Sequence, residues 1–288
     1  MPDPATTALT SALDNSTKVA NTPLFATVID WVLGFKISEW SAQGDVIKRQ
    51  IIDGYEDAKN KGLGVQYVSA FRSNANLINT SVRAAKYITT EREVDIAMED
   101  DVFWGLIEHS KTVSNEEVQE LVAKILAGEY NSPGTYSMST LQILKSLGKA
   151  DLEKLAFFNS FYLLEYGFLV NLFSMEEENL AVRQKVGMNY SDFLELQNLG
   201  LVQAGNYTMQ VNIDVDTLVK FHTKATIFIF KATKEFNNWR FPNCYNFTTA
   251  GNQISQHLTT VKSEVFEEWL VQFFVDKGFE LISATNKT

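Results

Sequence analysis

The stretch "SNEEVQELVAKILAGEYNSPGTYSMSTLQILKSL", Ser114 to Leu147, carries the most regular pattern in the chain, and its reading decides the fold class. Ser114 and Glu117 have the spacing of a capping box, in which the hydroxyl accepts from a first-turn amide and the carboxylate returns to the cap amide. Val118, Leu121, Val122, Ile125 and Leu126 follow as one apolar stripe at helical spacing. Gly128 stands where a left-handed residue ends a helix. Pro133 and Gly134 supply turn chemistry. Ser137 or Ser139 then caps a second helix, with Leu141, Leu144 and Leu147 on its buried face and Gly148 closing it. Every position has a structural task, so the stretch reads as a helical hairpin rather than a ligand-holding loop.

Toward the N-terminus, residues 1–21 read as a polar tail without the basic cluster and apolar core of a secretory signal. Residues 22–140 read as a helical domain containing the hairpin. Val46, Ile47, Ile51 and Tyr55 recur at helical spacing between charges, and Phe71, Leu77, Ile78 and Val82 resume the pattern after Gly62 and Gly64. Long charged helices of this kind pair with each other or with another subunit. Arg49, Arg72 and Arg83 are the candidate cations of such an interface, and Glu56 and Asp57 the candidate acids. Glu99, Asp100 and Asp101 precede "VFWGLI" as acids at a helix start, because adjacent residues on a helix point in different directions and make a poor metal cage.

Toward the C-terminus, an aromatic-rich helix is expected from Asp151 to Phe173. Its segment from Leu155 onward is long enough to span a bilayer, but Asn159, Glu165 and Asn171 would each cost a few kcal/mol in hydrocarbon, so it reads as a core helix. "MNYSDFLELQNLG" reads as a short helix ended by Gly200; "NYTMQVNI" and "ATIFIFKA" read as strands, and "CYNFTTAGNQISQHL" as a strand entering a helix capped by Thr248 or Thr249. This order matches a winged helix-turn-helix, expected over residues 141–260, and residues 261–288 add a helix and a last strand. The fold class expected is mainly α with a small β component: a helical N-terminal part followed by a winged-helix-like α+β module.

Composition bounds the functions. The chain has 288 residues, 45% hydrophobic and 21% charged, with a formal net charge of −10 and a pI near 4.9. Neutralising phosphates requires basic surface, so nucleic acid and anionic membranes are disfavoured partners. The single cysteine, Cys244, allows no intrachain disulfide and fits a reducing compartment, which points to a cytoplasmic protein.

Further residues carry a resemblance. The run from "EDD" through "SNEEVQELVAKILAGE", the Pro133–Gly134 turn and "SMSTLQILKSL" resembles the signature of the bacterial family called domain of unknown function 2806, and more loosely the abortive-infection alpha-type proteins. "FRSNANLINTSVRAAKYI" and "FTTAGNQI" resemble its flanking portions, so the likeness extends from about Asp30 to Leu258. Where this chain has Val122, and Val102-Phe103-Trp104 after the acids, the family pattern differs in packing residues only. The resemblance implies architecture and a bacterial origin, assigns no catalytic residues, and raises phage defence by association.

No enzyme site stands out. His109, His222 and His257 lie far apart, each without a ligand-spaced His or Cys, so no metal is expected. Cys244 in "FPNCYNF" reads as a buried thiol, and no phosphate-cradling or nucleophile-elbow motif occurs, so no cofactor is expected. The chain therefore reads as a non-enzymatic interaction or regulatory protein with a protein partner or self-association. A DNA-binding regulator is the first alternative, with Arg183, Lys185, Tyr190 and Ser191 facing the duplex beside the unfavourable Asp192 and Glu195. A membrane-acting effector exposing the helix from Leu155 to Phe173 is the second.

Overall fold

The computed structural model describes Asp53, Asp57 and residues 60–89, 101–163, 168–170, 172–173, 177–205, 210–240, 244–259 and 262–286. Arg49, Glu56, the expected tail, the apolar positions Val46, Ile47, Ile51 and Tyr55, Glu99, Asp100 and the side chain of Phe71 lie outside them. The chain divides into two compact units, Met1–Lys145 and Ser146–Thr288.

The first unit is helical in its described residues. Helix α1 (Gly64–Ala84) runs into a 3-10 turn (Ala85–Tyr87) and is followed by α2 (Asp101–Ser110), α3 (Glu116–Asn131) and α4 (Met138–Ser146), whose last residue opens the second unit. The stripe read on α3 is buried throughout, and Ala123, Ala127 and Tyr130 are buried with it, so α3 is the core helix packed by α1 and α2. Its cap differs from the expectation by one residue. Asn115 carries it, its side-chain oxygen accepting from the amides of Glu117 and Val118 at 3.1 Å each. Ser114 Oγ instead accepts from the Arg72 guanidinium at 2.9 Å and from Asn76 Nδ2 at 3.2 Å. Gly128 does not end α3 either. A Cβ there would lie 2.6 Å from the Tyr136 hydroxyl, so the glycine serves close packing of the following loop.

The second unit is where the sequence reading needs correction. The helix from Asp151 does not reach Phe173: α5 (Lys149–Asn159) stops, and β1 (Tyr162–Leu163) and β2 (Phe168–Val170) form a short hairpin. Buried Asn159 marks the exit, donating from Nδ2 to the Ser255 carbonyl at 3.0 Å. A mostly apolar run with irregularly spaced polar residues has no period to separate helix from strand, and aromatic residues favour the pleated arrangement. Next come α6 (Glu177–Val186) and α7 (Tyr190–Asn198), then β3 (Gln210–Ile213), β4 (Leu218–His222), β5 (Thr226–Ala232), β6 (Phe236–Arg240) and β7 (Cys244–Asn246). Helix α8 (Thr249–Ser255), α9 (Glu264–Lys277) and β8 (Phe279–Asn286) complete the described chain.

The expected winged helix is overturned by strand pairing. Three small antiparallel sheets are described, ordered β1-β2-β7, β3-β6 and β4-β5-β8. The presumed wing strands sit in different sheets: β5 pairs with β4 and β8, whereas β7 pairs with β2. The cause is the C-terminal segment. Phe230 and Phe221 of the β5 sheet pack on Phe274 of α9, with ring centroids 4.7 and 4.2 Å away, so residues 264–286 form a core with β5 instead of an appendage.

The "LGLV" and "FTTAG" elements meet, although not as parts of a wing. Gly200, at φ 75°, ends α7 in the left-handed region, as its position implies. Thr248 donates its hydroxyl to the Gly200 carbonyl at 2.6 Å while accepting from the Gly251 amide at 3.0 Å to cap α8. A Cβ on Gly251 would lie 1.9 Å from the Leu201 carbonyl oxygen. The two elements form a backbone lock.

Candidate functional site

The turn joining α3 to α4 holds a ligand, and the ligand is the chain's own. Pro133 and Gly134 occupy the corners of a turn closed by the Thr135 amide on the Ser132 carbonyl at 3.2 Å, with Gly134 at φ 81°. The Gly134 and Tyr136 amides converge on one carboxylate, Glu129 of α3, the latter at 2.9 Å. Convergent amides of this kind bind anions. Glu129 is 1% exposed, so it fills the nest from within and leaves no seat for a phosphate. Ser137 caps α4, accepting from the Thr140 amide at 3.2 Å as expected.

The chemically versatile residues are buried or separate. His109 is 8% exposed on the last turn of α2. Burial, reinforced by the Lys145 ammonium, pushes its pKa down to about 4, so the ring is neutral near pH 7. Cys244 is fully buried within β7. Among the described residues no three His, Cys, Asp or Glu side chains stand close enough to hold a metal ion.

Of the residues proposed for an interface, Asp57, Arg72 and Arg83 are described, and each has a partner within the first unit. Arg83 reaches Glu116 and Glu120 of α3 at 3.2 Å each, and Tyr87 donates to Glu120 as well. Burial pushes the Glu120 carboxyl up, but the hydrogen bonds from Tyr87 and Arg83 outweigh it and hold the group below its usual range. Arg72 bonds Ser114, and Asp57 pairs with Lys61 at 2.6 Å. Arg83 therefore stitches α1 to α3, and Arg72 ties α1 to the loop that enters α3, inside the first unit.

The DNA-facing candidates lie on α6 and α7, two with basic side chains and two without. Arg183 lies over the Phe173 ring at 5.8 Å, and the half-exposed Tyr190 packs on Phe173 and Phe193. Lys185 is exposed, and the Ser191 amide is taken up by the cap residue Asn189 at 3.1 Å. Asp192 and Glu195 both pair with Lys154 of α5.

What the sequence reading missed lies on the β4-β5-β8 sheet. Phe228 and Phe230 of β5 are buried, while Ile227, Ile229 and Lys231 on its opposite face are only half-buried. Register places His222, Lys220 and Leu218 of β4 on that same face. Leu218 is 62% exposed and Ile282, beside the bulge in β8, is 49% exposed. The period-two alternation of "LVKFH" was a signal for this strand. Glu267 of α9 was also missed: its buried carboxylate accepts from the Thr223 and Thr226 hydroxyls at 2.9 Å each and pairs with Lys262 at 3.5 Å, fixing the β4–β5 turn to the helix.

Among the described residues no helix is long and apolar enough to cross a membrane. The family model described as "Protein of unknown function (DUF2806)" matches residues 68–271, and the chain belongs to that family. No curated protein and no solved structure matches the chain.

Proposed function

We propose that the chain, as a member of the DUF2806 family, is a non-enzymatic bacterial protein that acts through protein contacts made by its second unit. The observation that carries this reading is the solvent-facing side of the β4-β5-β8 sheet. There Leu218 is exposed and Ile227 and Ile229 lie half-covered beside Lys220 and Lys231, and Ile282, at the bulge of β8 in the same sheet, is exposed as well. Apolar surface of this kind is stabilised when another protein surface removes it from water. The polar groups that elsewhere bind small ligands are engaged internally: the turn amides by Glu129, Arg83 by α3, and Arg72 by Ser114 in the loop before α3. Phage defence is proposed as the setting on the loose sequence resemblance to abortive-infection alpha-type proteins alone, and plating efficiency with and without the gene measures it.

The test is the double variant Leu218→Lys/Ile282→Lys. Both positions face water, so folding stability should change by no more than about 0.5 kcal/mol. Activity in bacteria, and any self-association seen by light scattering, should fall. Full retention of both in the folded variant overturns the proposal.

A further inference from the structure

We draw no further inference here: the strongest candidate, the groove of about 570 Å³ beside the first turns of α9 with Glu264, Glu267 and Glu268 on its walls, is an acidic cluster in which the buried Glu267 already has its partners in Thr223, Thr226 and Lys262, and nothing in the structure points to a ligand within it.

Discussion

Glu129 shows how a single side chain settles the role of a loop. A buried carboxylate is costly unless hydrogen bonds compensate it, and here two turn amides do so. Glu129→Gln keeps the shape but turns one N–H group toward another, so it should destabilise the first unit by about 1–3 kcal/mol in denaturant unfolding. Unchanged stability would mean that the nest does not depend on the carboxylate. His109 gives a second test at this scale. Its folded pKa is about 4 against an ordinary 6.5, so the unfolded chain takes up the proton first as pH falls. Stability from this residue is therefore complete above pH 6.5 and is lost progressively toward pH 4, by about 3 kcal/mol there. His109→Leu should flatten that part of the acid limb; an identical pH profile in both proteins would refute the assignment.

At the scale of elements, local signals and long-range pairing separate. The α3–α4 hairpin was legible because its apolar stripe, turn residues and serine cap all have short-range causes. Its cap was misplaced by one residue, since Ser114 and Asn115 are both good caps and only packing by Arg72 and Asn76 chooses between them. The strand character of "ATIFIFKA" was legible too, but not its partner: β5 joins β8 at the far end of the chain, and no local pattern announces that. The α5–β1–β2 segment was illegible for want of a period. Thr248 or Thr249 was read as the cap of a helix start; the structure chooses Thr248 and adds its contact, and that of Gly251, with the end of α7. Gly251→Ala should force the backbone away from the Leu201 carbonyl, costing about 1–3 kcal/mol. A thermal transition matching that of the wild type would show that the two backbones are not locked.

For the whole molecule, charge and surface point the same way. A chain of net charge −10, with Lys154 tied to Asp192 and Glu195, has no basic face on α7 to grip a duplex. The second unit leaves Leu218, Ile227 and Ile229 among polar neighbours on a partly exposed sheet face, and no sequence motif marked it, because its residues come from separate strands and meet only through strand register. The most direct measurement is photocrosslinking in living bacteria from a benzophenone side chain placed at Ile282, with a second probe at the exposed Glu153 of α5 as control. A discrete protein adduct from position 282, absent from position 153 and abolished by Leu218→Lys, is the expected result. No adduct from position 282, or one that Leu218→Lys leaves unchanged, would contradict the account.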